Sequence, residues 1–313
     1  MPTPVPAEVT VLAAARRATQ QQLAANAAVE VGRLWGFLQM AGWDGIAGRV
    51  AKVVRLAMRG AARGAQGYTS AVSNGWDVRP DPAGIVVPEA FAETASDGRP
   101  LESLLSIPAG EVDAFVAQGV PYDNAAEVGR RHLQRIIVTQ VADAGRVATG
   151  VGIAVDRSLV GYVRHLTLPS CARCIILAGR WYRWNDGFAR HPQCDCVHVP
   201  AAVSAEPASP RAIYDSLDDD QRRKAGWSGY DQRAIDDGAD LAQVTNYRRV
   251  LKTVQVAGRR VKTTRVGTTR RGLAGKRGAK VRLTPEQIYL DADRLGLSRD
   301  EVIGVLRRQG YIV

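Results

Sequence analysis

Residues 170–200 read SCARCIILAGRWYRWNDGFARHPQCDCVHVP and hold all four cysteines of the 313-residue chain, Cys171, Cys174, Cys194 and Cys196, with His191 and His198 beside them. Two close ligand pairs joined by a loop suit a tetrahedral zinc site, because each pair sits on one turn and the loop folds the pairs together. Cys171-x2-Cys174 is the first pair. His191-x2-Cys194 is the natural second, and Cys196 competes for its place. Pairing Cys194 with Cys196 leaves a single residue between ligands, tighter than zinc usually takes. Structural zinc in a small module contributes ~10 kcal/mol to folding, so zinc is the expected cofactor, in a closed structural role. Two disulfides, or unligated thiols in a reducing cytosol, are the other readings of the same four residues. The aromatic run Trp181, Tyr182, Trp184 and Phe188 is read as a hydrophobic plug over the knuckle rather than a platform for stacked bases.

Outward from this stretch, Leu159 to Leu166 reads as a strand that delivers the chain to the knuckle. Trp181 to Trp184 and Cys196 to Val199 read as its partners in a small antiparallel sheet. Upstream, Pro121 to Asn124 turns into the longest helix, in which Leu133, Ile137, Val141, Ala144 and Ala148 form one apolar stripe. Before it, Pro88 to Thr94, Pro100 to Ser106 and Ala109 to Gln118 read as short helical pieces, and Ser73 to Gly84 as a loop. Glu8 to about Met40 carries Leu23, Ala27, Val31, Leu34 and Leu38 at helical spacing. A second helix is expected from Gly45 to about Ser70, after a turn at Gly42 to Asp44. This alanine-rich hairpin fits ordinary core packing, or an assembly handle for another protein.

Downstream, 201–209 reads as a connector. Pro210 to Leu217, Asp219 to Ala225, Tyr230 to Asp237 and Leu241 to Arg249 read as short helices. Asp218, Asp219 and Asp220 suit a helix start, where negative charge meets the dipole. Thr284-Pro285-Glu286-Gln287 and Ser298-Arg299-Asp300-Glu301 open a closing helical hairpin, read as a small docking module.

The net charge of +11 comes from 42 basic and 31 acidic residues. Thirteen of the basic residues lie between Arg248 and Arg282 with no acidic residue among them; removing those 13 from 42 leaves 29 against 31. The basicity is therefore one segment. Val254 to Val256 and Val261 to Thr264 could pair as a hairpin, and 267–280 reads as disordered when unbound. Arg248, Arg249, Arg259, Arg260, Lys262, Arg265, Arg270, Arg271, Lys276, Arg277 and Lys280 are the candidate contacts to nucleic acid or to an acidic scaffold. Charges without interleaved aromatics suit phosphate contact that ignores base sequence.

The C-x2-C, the apolar LAG, the aromatic strand and the H-P-x-C-x-C with its closing proline together resemble the Mu F-like phage head morphogenesis, or minor capsid, proteins. TQVADAGR at 139–146, GYVRHLTLPSC at 161–171 and DDGADLAQVTNYRR at 236–249 look similar to the actinobacteriophage branch, whose members are often labelled capsid maturation protease. The likeness covers roughly residues 88–250. It implies a head-assembly protein of a tailed bacteriophage, made in the host cytoplasm and held in the virion near the portal. Its partners would be portal, major capsid or scaffold protein, with packaged DNA a further one. Capsid maturation protease and a zinc-knuckle nucleic-acid binder unrelated to heads are the alternative functions.

No G-x-S-x-G, H-E-x-x-H or G-x-x-x-x-G-K-[ST] motif occurs. A serine-protease base would have to be His132 or His165, and His132, beside arginines on a helix, reads as a surface residue. The E-x-E pair of ADP-ribosyltransferases is missing, and the order of residues does not match a His-Asn-His nuclease. The opening MPTPVPAEVT has no positive n-region or apolar h-segment, and no run approaches the 18 apolar residues of a membrane span.

The expected fold is α+β and predominantly helical. Its expected segments are a helical hairpin over 1–75, a core with the cysteine/histidine knuckle over 85–200, a helical extension over 201–250, a basic flexible segment over 251–282 and a C-terminal helical hairpin over 283–313.

Overall fold

The 34-residue helix Tyr122–Val155 forms where the sequence puts an uninterrupted apolar stripe, and Leu133, Ile137, Val141, Ala144 and Ala148 are all buried. A computed structural model describes residues 4–187, 196–204, 209–256 and 258–312, and divides the chain into two units. The first comprises 1–167 with 179–207, the second 168–178 with 208–313. The fold is predominantly helical, with two small antiparallel sheets of three strands.

In the first unit, α1 (Ala7–Trp35), α2 (Leu38–Arg63), α3 (Ala65–Gly75), α4 (Leu101–Leu105) and α5 (Ile107–Ala117) pack around α6 (Tyr122–Val155). α1 buries Val9, Ala13, Arg16, Gln20, Ala24, Ala27, Val31 and Trp35, a step of three or four residues that keeps one face inward. The expected single helix to Met40 instead breaks at Gly36 and Phe37, so Leu38 opens α2. α2 is kinked at Gly42, whose φ of 64° is a conformation that glycine adopts without strain. The helical hairpin packs with α6 in one core, the core-packing alternative of the two offered by its sequence. Each fully buried residue such as Leu133 or Ile137 contributes about 1.5–3 kcal/mol.

Two glycines let α6 approach its neighbours. A Cβ on Gly129 would stand 2.9 Å from the Trp35 ring and 2.7 Å from Val112 Cγ2, and one on Gly145 would crowd Gln20 and lie 3.3 Å from the Ala61 carbonyl. The contacts are completed by polar groups. Trp35 Nε1 donates to the Ala126 carbonyl at 3.1 Å, and Arg16 Nη2 donates to the Ala61 carbonyl at 2.5 Å. Burial lowers the pKa of the Arg16 guanidinium from its ordinary value, although Tyr68 beside it acts in the other direction. By length and composition α6 could cross a membrane, but its stripe is buried against α1 and α2.

The sheet of this unit has β1 (Gly161–His165) in the middle, between β2 (Trp181–Arg183) and β3 (Val197–Ala201). Gly161 pairs with Arg183 and with Ala201, and Arg164 pairs with His198. Val163, Val197, Val199 and Ala201 turn their side chains to Val9, Ala13, Tyr68 and Val72 of α1 and α3.

The second unit begins with the single turn α7 (Ala172–Ile175) and continues in α8 (Pro210–Ser216), α9 (Asp219–Ala225), α10 (Gly229–Asp236) and α11 (Leu241–Asn246). The hairpin β4 (Leu251–Val256) and β5 (Arg259–Thr264) follows, then α12 (Leu273–Lys276), β6 (Arg282–Leu283), α13 (Pro285–Leu295) and α14 (Arg299–Arg308). Short helices gain little from length, and α8 to α11, α13 and α14 have starts capped by side chains. Asp218 Oδ1 accepts from the Gln221 amide at 2.8 Å, the capping role expected of the aspartate run, and Ser209, Ser228, Asp240, Thr284 and Ser298 do the same for their helices.

Two expectations are corrected in this unit. Residues 267–280 are not an extended disordered tail: the Gly275 amide donates to the Gly267 carbonyl at 3.1 Å, and Ala274 is buried. The glycines make this possible, since a Cβ on Gly272 would collide with the Gly267 backbone. The C-terminal hairpin is not a separate module either. Tyr311 is buried, its carbonyl accepts from the Asp240 amide at 2.8 Å, and its hydroxyl donates to the Leu283 carbonyl at 3.0 Å. Arg282, 1% exposed, lies 4.0 Å from the Tyr311 ring centroid and donates to the carbonyls of Gln309 and Val266.

Gly129→Val is expected to destabilise the protein by ~1–3 kcal/mol through overpacking against Trp35 and Val112. Chemical denaturation followed by far-ultraviolet circular dichroism measures it, and an unchanged midpoint would show that α6 does not need this close approach.

Candidate functional site

Alternation along β1 and β3 puts Tyr162, Arg164, Cys196 and His198 on the sheet face opposite the apolar one. The His198 ring stacks on Tyr162 at 4.3 Å, and Tyr162 stacks on Tyr182 at 5.4 Å. Cys196 is buried, and Arg164 Nε donates to its Sγ at 3.1 Å. Arg146, from α6, donates from Nε to the Cys196 carbonyl at 2.7 Å and pairs with Asp143 at 2.6 Å. Two buried arginines therefore fix the start of β3. The sequence signal for Arg164 was a charged residue inside an otherwise apolar strand.

In the second unit, Cys171 and Cys174 occupy one turn. The Cys174 amide donates to the Cys171 carbonyl at 2.9 Å, and Cys174 is fully buried. That is the local geometry a C-x2-C half-site requires. His191 and Cys194 lie outside the described residues, as does Phe188. Among the described residues, no group of three or more His, Cys, Asp or Glu side chains is placed to hold a metal ion.

The aromatic run is not one plug. Trp181 packs with the apolar side of the sheet, Tyr182 stands on the opposite face against Tyr162, and Trp184 is 53% exposed. Of the two candidate bases, His132 Nδ1 lies 2.7 Å from Glu111 Oε2 on a half-exposed helix surface. His165 ends β1, where burial, and after it the charge of Arg17, lower its pKa below the ordinary imidazole value.

The basic candidates divide into two sets. Arg248 pairs with Asp231, Arg259 with Asp291 at 3.5 Å, and Lys262 with Glu286 at 2.6 Å, while Arg277 donates to the Arg307 carbonyl. Arg249, Arg260, Arg265, Arg270, Arg271, Lys276 and Lys280 are exposed. The hairpin that carries several of these charges has solvent on most of both faces, and Leu251 and Val256 are each 54% exposed.

Asp231, which the sequence reading passed over, closes the base of this hairpin. It is 0% exposed and accepts from the Ser228 amide at 2.8 Å, Ser228 Oγ at 2.7 Å and Tyr247 Oη at 3.0 Å, as well as from Arg248. Burial first, then the Asp231 charge, push the Tyr247 phenol up to about 12. Ser228-x-x-Asp231 is a capping box, so the spacing was a signal present in the sequence.

No protein-family model matches the chain, and no curated protein or solved structure matches it.

Asp231→Ala leaves Tyr247 and Arg248 without their acceptor and is expected to cost at least ~2 kcal/mol. Thermal unfolding checks this: the Tm should fall well below that of Asp240→Ala, which removes only a cap on α11.

Proposed function

We propose that the chain is a minor capsid or head morphogenesis protein of a tailed bacteriophage, held in the head near the portal and meeting scaffold or packaged DNA through its basic segment. The observation that supports this most is the order of elements after the long helix. A strand, the C-x2-C turn, an aromatic strand and the strand after Cys196 follow it in the chain, so the residues that carry the resemblance to Mu F-like proteins lie on and between the strands of one small sheet. The exposed hairpin with Arg259, Arg260 and Lys262 is the second support, since a strand pair with little to bury is suited to contact rather than to core.

Zinc is the proposed structural ion, on the strength of the motif. Cys171 and Cys174 would supply one pair, and His191 with Cys194, or Cys196, the rest. The turn geometry of the first pair fits a C-x2-C half-site. When bound, the ion would supply rigidity.

Two measurements test this reading. Heads purified from a phage encoding the chain should contain it, with density beside the portal; exclusion from heads overturns the assembly role. Native mass spectrometry of protein prepared without chelator should give about one zinc per chain, lost together with the fold in the Cys171→Ser, Cys174→Ser variant. Protein that carries no zinc and keeps its fold overturns the metal assignment.

A further inference from the structure

A pocket of about 500 Å³ opens at the base of the β4–β5 hairpin, entirely within the second unit. Its walls include Ser228 and Tyr230 from the start of α10, Arg248, Thr253, Lys262 and Glu286. Thr253 and Lys262 are cross-strand partners, so their side chains share one face of the hairpin. Arg248 is aimed by the buried Asp231, yet its side chain remains 38% exposed. A guanidinium has five N–H donors and an ammonium three, so both cations keep donors beyond the carboxylates they already meet. Glu286 is the one carboxylate among the lining residues.

We propose that this pocket binds a phosphate group, with Arg248 and Lys262 as charge-assisted donors and the Thr253 hydroxyl beside Lys262. Concave space, clustered cations and hydroxyls are the chemistry an oxyanion needs. Glu286 holds Lys262 at 2.6 Å and competes with the incoming anion. The phosphate has two sources, the backbone of a DNA strand and a free nucleotide. The first rests on the DNA-contacting side of the proposed function and localises it; the second stands without it.

The test uses the full chain and two probes, a fluorescein-labelled short single-stranded DNA and a fluorescent mononucleotide, read by anisotropy. Lys262→Gln should weaken binding about tenfold, as expected for loss of a charged hydrogen bond. Glu286→Gln should tighten it several-fold, which loss of a merely structural ion pair would not do. Both substitutions break a solvent-accessible ion pair that adds little to stability, so the fold is retained. Arg270→Gln with Arg271→Gln removes exposed charges that do not line the pocket and should weaken only the DNA probe.

DNA binding with this pattern and no nucleotide binding assigns the pocket to backbone phosphate. Nucleotide binding with this pattern assigns it to a free nucleotide, and if DNA then fails to bind, the DNA-contact reading falls while the pocket stands. If DNA binds and weakens only on loss of Arg270 and Arg271, the pocket proposal is overturned and the basic-contact reading survives. If neither probe binds, both are overturned.

Discussion

Everything in the first unit depends on the burial of one face of α6. Its stripe from Leu133 to Ala148 is apolar and continuous, so it must be covered, and α1 and α2 cover it. Leucine-sized contacts alone would hold these helices farther apart. Gly129 and Gly145 shorten the separation, and the closeness brings polar groups within reach: Trp35 finds the Ala126 carbonyl, and Arg16 finds the carbonyl of Ala61 near the end of α2. A buried guanidinium is costly without partners, which is why Arg16 serves a helix end whose carbonyls would otherwise go unmet.

The second unit solves a different problem. Among its described residues no helix exceeds the 11 of α13, so its order comes from many local closures. Side-chain caps start most of its helices, Trp227 and Tyr214 meet edge to face at 5.1 Å, and Arg282 ties the basic loop to the C-terminal residues through carbonyls and the Tyr311 ring. Asp231 does for the hairpin what Arg282 does for the loop. In each case a single buried charge satisfies several donors or acceptors at once, and the segments that it joins are far apart in sequence.

This changes what the basic segment is. Read as composition, 13 cations without an acid suggest one flexible segment whose charges all serve contact to nucleic acid or an acidic scaffold. In the folded unit, Arg282 is interior, Arg248, Arg259 and Lys262 are paired, and another set including Arg249, Arg260, Arg270 and Arg271 faces solvent. The acids that pair with them, Asp231, Glu286 and Asp291, come from outside the segment. Local charge counting therefore overstates the charge available to a partner and hides the concave place where Arg248 and Lys262 meet.

The sequence by itself determined the elements: the stripe of α6, the three strands around the cysteine stretch, the short helices after Pro210 and the caps at Asp218, Thr284 and Ser298 were all legible, because periodicity and capping are set by residues within a few positions of one another. The C-x2-C turn was legible for the same reason. Only the tertiary structure decided that the N-terminal hairpin is core, that 267–280 packs around Ala274, that Tyr311 joins the C-terminal helices to the extension before them, and that Arg164 meets the sulfur of Cys196. Those outcomes depend on partners tens of residues away, and a residue's own neighbours in the chain carry no record of which distant carbonyl, ring or carboxylate will satisfy it once water is excluded.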